Sequence, residues 1–128
     1  MRIELCALHV DDQEKVLRFY TDGLGFRKAR DIPAGAFRWI SVVSPQGHGD
    51  VELVLEPNVN PATRAYQEAL LAQGIPATAF ATDDIAAEVD RLKAKGVAFT
   101  MEPTPMGPVV VAVFADTCGN LIQLYQKT

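Results

Sequence analysis

Six side chains of this 128-residue sequence carry the chemistry to be located: His9, Arg38, Trp39, Glu52, Gln123 and Tyr125. Glu52 comes first. It stands in Val51–Glu56, where Val51, Leu53 and Leu55 alternate with Glu52, Val54 and Glu56, the pattern of a strand with two unlike faces. A carboxylate on an inward face has to be paired, protonated, metal-bound or wet. As a base it removes a proton next to a carbonyl, and the enediolate so formed needs a cation or hydrogen-bond donors to stabilise it. Arg38 is a candidate counter-ion for Glu52, while Trp39 and Tyr125 offer a stacking surface and a phenol. Arg38 and Trp39 are adjacent on a strand, so only one of them shares a face with Glu52. His9 is a candidate metal ligand beside Glu52 or a general base; its plainer reading is an exposed histidine at a strand end. Gln123 offers a further oxygen, or a hydrogen bond to Glu52. His48, between two glycines, reads as a solvated turn residue. Cys118 has no base nearby in sequence to activate it, and Cys6 reads as a small apolar residue facing the helices.

These groups need elements to hold them. Ile3 to Val10 reads as a strand with Cys6, Leu8 and Val10 on one face and Leu5, Ala7 and His9 on the other. Asp11 reads as the N-cap of a helix carrying Val16, Leu17, Tyr20 and Leu24, closed by Gly23 and Gly25. Strands follow at 26–31, 37–44 and 51–56, with a turn at Pro33-Ala34-Gly35 and a loop from Pro45 to Asp50. Asn60 and Pro61 open a linking helix that Gly74-Ile75-Pro76 ends. A strand at 77–82 puts Ala77, Ala79 and Ala81 on one face, where small side chains leave room for a ligand. Asp83 or Asp84 caps the next helix, with Ile85, Val89 and Leu92 on its apolar stripe and Gly96 at its end. Short strands are predicted at 98–100, 109–114 and 121–125. Glu102 to Pro108, with three prolines and a glycine, reads as a loop able to lie over a cavity as a lid.

The order is β-α-β-β-β, a helix, and β-α-β-β-β again. Residues repeat with it: Val10-Asp11-Asp12 answers Thr82-Asp83-Asp84, Leu24-Gly25-Phe26 answers Lys95-Gly96-Val97, and Glu52-Leu53 answers Gln123-Leu124. Two copies make a duplicated module, not a solenoid. The chain is read as one domain, 1–128, built from a first module at 1–57, a linking helix at 58–76 and a second module at 77–128. A net charge of −4, with no cluster of Lys and Arg, argues against nucleic acid and anionic membranes as partners. Two cysteines are too few for a disulfide scaffold, no signal-peptide pattern opens the sequence, and no apolar run is long enough to span a membrane; the expected location is the cytoplasm.

The spacing Val10-x-Asp12-x5-Arg18-Phe19-Tyr20-x3-Leu24-Gly25-Phe26 resembles the first-module signature of the vicinal oxygen chelate superfamily, which includes glyoxalase I, extradiol dioxygenases and the fosfomycin- and bleomycin-resistance proteins. Asp83-Asp84-Ile85, Leu92-x3-Gly96-Val97 and Asp116-x2-Gly119-Asn120-Leu121-Ile122-x-Leu124 extend the resemblance through the second half. It implies an α+β fold of two βαβββ modules whose sheets curve around a concave cavity, and a homodimer. In metal-dependent relatives a divalent ion is held by the first and last strands of each module. Carried onto this sequence, those positions read Leu5, Glu52, Ala77 and Gln123. Leu5 and Ala77 have no donor atoms, and two protein ligands seldom retain a metal. The resemblance therefore implies a divergent member without a metal cofactor, one that binds a small organic molecule and sequesters a toxic or antibiotic-like compound. The alternative is a glyoxalase-like lyase, isomerase or dioxygenase with an atypical divalent-metal centre of Glu52, Gln123 and His9. A metal-free enzyme with Glu52 as base is the third reading.

Overall fold

The structure, a computed structural model, describes residues 1–128. The chain forms two compact units, Met1–Ala65 and Tyr66–Thr128. Both have the β-α-β-β-β order that the repeat predicts, and no helix is long and apolar enough to cross a membrane.

In the first unit β1 (Leu5–Val10) leads into α1 (Gln13–Arg18), which continues as a π-helical turn at Phe19–Gly23. The antiparallel hairpin β2 (Arg27–Ala34) and β3 (Phe37–Val43) follows, then β4 (Glu52–Pro57). The sheet order is β1-β4-β3-β2, with β1 parallel to β4. Asp12, not Asp11, is the N-cap: its side chain accepts from the Lys15 N–H at 3.0 Å, while Asp11 pairs with Lys15 Nζ at 3.3 Å. Leu8, Val10, Val16, Tyr20, Ile40, Val42 and Leu55 form the core beneath α1. Cys6 has the parity of Leu8 and Val10 but lies beyond the part of the face that the helix covers, so it is exposed instead of packed. Pro33 and Ala34 remain in β2, and the reversal occurs at Gly35, at φ +64°. An edge strand tolerates a proline, since it needs no N–H toward solvent.

In the second unit β5 (Thr78–Ala81), α3 (Ile85–Ala94), β6 (Phe99–Met106), β7 (Val109–Ala115) and β8 (Leu121–Lys127) form a sheet of order β5-β8-β7-β6, with β5 parallel to β8. Asp84 caps α3 by accepting from the Ala87 N–H, and Ile85, Val89 and Leu92 are buried. The segment from Glu102 to Met106, expected as a loop and lid, is strand. Pro103 and Pro105 sit on an edge, the register slips between Met101 and Thr104, and the chain turns only at Gly107. Glu102 is held on Lys93 Nζ at 2.6 Å.

The helix α2 (Pro61–Ala72) begins as predicted, with Asn60 Oδ1 accepting from the Ala62 N–H. Its second half belongs to the second unit, because Gln67 is buried in the turn before β8. There Asp116 Oδ1 accepts from the N–H groups of Cys118 and Asn120, and Asp116 Oδ2 accepts from Asn120 Nδ2. Gln67 Nε2 donates to the Cys118 carbonyl and to Asn120 Oδ1, both at 3.1 Å. The Asp116-Thr117-Cys118-Gly119-Asn120 motif is thus a polar clamp on a tight turn, and Cys118 serves it through its backbone.

Gly119 has φ +96°, and a Cβ there would lie 2.7 Å from Gln67 Nε2. Gly25 has φ +87° with open space around it. Gly25→Ala is expected to cost about 1 kcal/mol from backbone strain alone. Gly119→Ala is expected to cost about 3 kcal/mol, strain plus displacement of Gln67 from a buried network. Urea unfolding of the two variants measures the difference; equal losses would show that Gln67 is not a fixed clamp.

Candidate functional site

Register in the first sheet decides which side chains share a surface with Glu52. Leu5 lies opposite Glu52, Ala7 opposite Val54 and His9 opposite Glu56 along the parallel pair. Ser41 lies opposite Val54, Arg30 opposite Ser41 and Ile32 opposite Trp39. Paired residues share a face. The Glu52 face therefore carries Trp39, Ser41, Arg30, Ile32, Leu5 and the His9–Glu56 pair. Ile40, Val42 and Leu55, of opposite parity, form the core beneath α1.

On this face Ser41 Oγ donates to Glu52 Oε1 at 2.5 Å, and Arg30 Nε lies 3.3 Å from the same oxygen. The Glu52 side chain is 15% exposed. Its charge is balanced by Arg30 and its geometry is fixed by Ser41, which itself is fully buried. His9 Nε2 stands 3.2 Å from Glu56 Oε2, with both side chains half exposed. The histidine is thus held by the neighbouring carboxylate along β4 and not by Glu52.

Arg38 is not the counter-ion of Glu52. It lies on the helix side, where Nε and Nη2 donate to the two carboxylate oxygens of Asp31 at 2.9 and 2.6 Å and Nη1 donates to Glu14. Gln13 of α1 fixes the Arg38 backbone, accepting from its N–H and donating to its carbonyl. The forked hydrogen bonds from Arg38 hold the Asp31 carboxyl below the usual carboxylate range, and Asp31 and Glu14 raise the guanidinium further. Trp39, the neighbour with the other parity, takes the Glu52 face.

In the second unit Gln123 lies opposite Ala79 and Tyr125 opposite Ala81. Tyr125 packs on the same face against the buried cluster of Val111, Val113 and Leu121. It also lines a depression of about 230 Å³ with Ala81, Thr82, Asp83, Gln126 and Lys127. Ala77, expected opposite Gln123, precedes β5 and donates its N–H to the Leu121 carbonyl; the register moves that position to Ala79. His48 is an exposed turn residue.

A divalent ion does not fit the donors present. Leu5 and Ala79, the first-strand partners of Glu52 and Gln123, are hydrocarbon. Glu52 is engaged by Ser41 and Arg30, and no three His, Cys, Asp or Glu side chains come together as a ligand group. Two residues of the face, Arg30 and Ser41, are not singled out by sequence reasoning. Glu56 is visible in the alternation of β4 and Arg30 has the parity of Ile32 and Ala34 on β2; the register slip between Lys28 and Arg30 brings Arg27, opposite Val43, to the same face.

Each unit is a βαβββ module with its first strand parallel to its last, the arrangement found in glyoxalase and bleomycin-resistance folds. Residues 2–124 match the model of the Glyoxalase/Bleomycin resistance protein/Dioxygenase superfamily, and the chain belongs to that superfamily. It is 54% identical over 127 residues to the uncharacterized protein YurT of Bacillus subtilis, covering 99% of this chain and 100% of YurT. It is 32% identical to a probable lactoylglutathione lyase of Synechocystis, covering 94% of this chain and 92% of that protein. Among solved structures it is similar to TnmS3, an antibiotic binding protein from Streptomyces, with a TM-score of 0.80, 30% identity and coverage of 100% of this chain and 97% of that one.

Because the folded-state pKa of Asp31 is lowered, its pairing with Arg38 stabilises the fold above the ordinary carboxylate range and is lost as pH falls through the folded value. Arg38→Met is expected to melt below the parent at pH 7, with the gap closing as pH drops from 5 to 3. Calorimetric scans across that range test it; a gap that stays constant with pH would mean the loss comes from packing of the arginine stem.

Proposed function

We propose that this protein binds a small organic molecule on the Glu52 face of its first sheet, holding it without a resident metal, and so sequesters a toxic or antibiotic-like compound. The observation that carries this reading is the exposure of Leu5 at 47%, Ile32 at 49%, Phe37 at 42% and Trp39 at 36%, all on one strand face. An apolar surface rimmed by polar groups is what an organic ligand needs. The likeness to an antibiotic binding protein supports the same reading. The reading takes the protein to be a cytoplasmic homodimer with one domain per chain. The lyase reading is favoured by the Synechocystis relative. It requires a metal centre that Leu5, Ala79 and the engaged Glu52 do not supply.

The chain has a single tryptophan, so its fluorescence reports on Trp39 alone. Titration with a panel of fused-ring aromatic antibiotics is expected to quench that emission saturably, and Ile32→Asp is expected to weaken the response at least about tenfold, the effect of placing a charge in an apolar contact. Purified protein offered nickel, zinc or manganese and then dialysed is expected to retain well under one equivalent. One equivalent retained, and lost in Glu52→Ala, would overturn the metal-free reading in favour of the lyase.

A further inference from the structure

We infer that the first unit carries a second ligand site, on the helix side of its sheet, and that this site takes a small aromatic carboxylate. It goes beyond the Glu52-face reading and does not depend on it. An open depression of about 510 Å³ lies between the last turn of α1, the π-helical turn that follows and the start of β2. Small-molecule sites have volumes of roughly 300–1,000 Å³. The lining is Leu17, Arg18, Thr21, Phe26, Arg27 and Lys28. Leu17, Thr21 and Phe26 are half-buried, and the three basic residues are exposed.

The internal repeat accounts for the space. Gly25 answers Gly96, which puts Lys28 at the position of Phe99, the third residue after the glycine in each unit. Both lie on the helix side: Lys28 is opposite the buried Val42 and Phe99 opposite the buried Phe114. In the second unit the Phe99 ring packs on Phe114, with centroids 5.6 Å apart, and Lys93 Nζ lies 5.7 Å from the Phe99 centroid. Lys28 brings no ring, and the place beside it in the first unit stays open. An aromatic ligand can occupy there what an aromatic side chain occupies in the other module, lying against Phe26, itself stacked on the buried Tyr20.

The charge of the lining selects the charge of the ligand. The lining holds three basic residues and no acid. Arg18 and Arg27 make no salt bridge. Lys28 Nζ stands 3.7 Å from Asp31 Oδ2, an oxygen that already accepts from Arg38 Nη2 at 2.6 Å. By register the Arg27 side chain starts toward the Glu52 face, so Arg18 and Lys28 are the cations counted for the site and Arg27 borders it. The helix end presents little opposing charge. The carbonyls of Phe19, Tyr20 and Thr21 accept from the N–H groups of Leu24, Phe26 and Gly25, and the Thr21 hydroxyl donates to the Leu17 carbonyl at 2.6 Å. Asp22, next to Thr21, lies outside the lining. The planar guanidinium of Arg18 matches a carboxylate. In the second unit the repeat has Asp90 where the first has Arg18, six residues after the capping aspartate, so the cation and the open space belong together to the first unit.

The test titrates the full chain with 1-naphthoate, 1-naphthylmethanol and 1-naphthylmethylamine. The backbone amide signals of Thr21, Phe26 and Lys28 report on this site, and the indole N–H of Trp39 reports on the Glu52 face. Naphthoate is expected to shift the three amide signals saturably and to bind there about fivefold tighter than the alcohol, with the amine weakest, the scale that exposed ion pairs supply. That preference is expected to vanish at about 1 M salt, where charges are screened beyond about 3 Å. In Arg18→Gln it is expected to fall to about twofold or less while the alcohol binds as before. Lys28→Phe, which copies the second unit, is expected to abolish the shifts at Thr21 and Phe26 with every probe. The wild-type selectivity requires no variant, so a variant that fails to fold leaves the inference open to refutation. No shift at Thr21, Phe26 and Lys28 with any probe would overturn the site, whatever the Trp39 signal does. Equal binding of naphthoate and the alcohol would overturn the carboxylate and leave the cations the task of keeping the β2 edge from pairing with other chains. Naphthoate shifts that persist unchanged in a folded Lys28→Phe would remove the depression from the role.

Discussion

The parallel pairing of β1 with β4 is the constraint on which the Glu52 surroundings depend. These strands are the first and last of their unit, so the pairing forms only after the intervening helix and hairpin have turned the chain back. It sets Leu5, and no donor, opposite Glu52. It gives His9 to Glu56 instead, two strand repeats further along. A shift by one residue would send Glu52 into the core with Leu55 and Val42, an unpaired buried charge that the fold does not tolerate. A shift by two would keep the face but bring a different neighbour to Glu52. The hydrophobic alternation excludes the first shift, and the packing of Leu8 and Val10 beneath α1 opposes the second.

What could be read from the sequence was what local chemistry decides. Caps at Asn60 and Asp84, helix-ending glycines and the period-two pattern of β4 each act over a few residues, and the β-α-β-β-β order follows from them. What could not be read depends on pairing across distance. The slip between Lys28 and Arg30 changes the parity of β2, so Arg27 joins Arg30, Ile32 and Ala34 on the Glu52 face although simple alternation counted along the strand puts it on the other. Pro103 and Pro105 look like loop residues until β6 is known to be an edge, where a missing N–H costs no ladder bond. Ala79 replaces Ala77 opposite Gln123 because register, not spacing, sets that partnership. Arg38 was a fair candidate for Glu52 by charge alone. The Gln13 side chain and the acids Asp31 and Glu14, all on the helix side, hold it on the other face.

Two polar clusters in this chain look alike in composition and differ in kind. Around Asp116 every buried polar side-chain atom has a partner, and the donors converge from backbone and amide groups of the same turn. Such a network holds one conformation of the chain and presents nothing to a visiting molecule. Around Glu52 the partners, Ser41 Oγ and Arg30 Nε, are side chains of two neighbouring strands, and the carboxylate stands on a face that also carries exposed Leu5, Ile32 and Trp39. The first cluster is closed on itself, whereas the second lies where the sheet meets an exposed apolar surface.

The same comparison bears on how a sheet accommodates a carboxylate opposite a hydrocarbon. A carboxylate that faces a hydrocarbon across the sheet still has to be compensated, since an isolated charge in that position costs several kcal/mol. Here Arg30 supplies the charge and Ser41 supplies the hydrogen bond, one from each strand of the β2–β3 hairpin. With compensation coming from within the sheet, Leu5 can be apolar at no electrostatic cost, and its exposed side chain extends the surface that Trp39, Phe37 and Ile32 begin. The apolar side chain at Leu5 and the compensation of Glu52 go together: the hairpin satisfies the carboxylate from within the sheet, and the neighbouring strand can present hydrocarbon beside it.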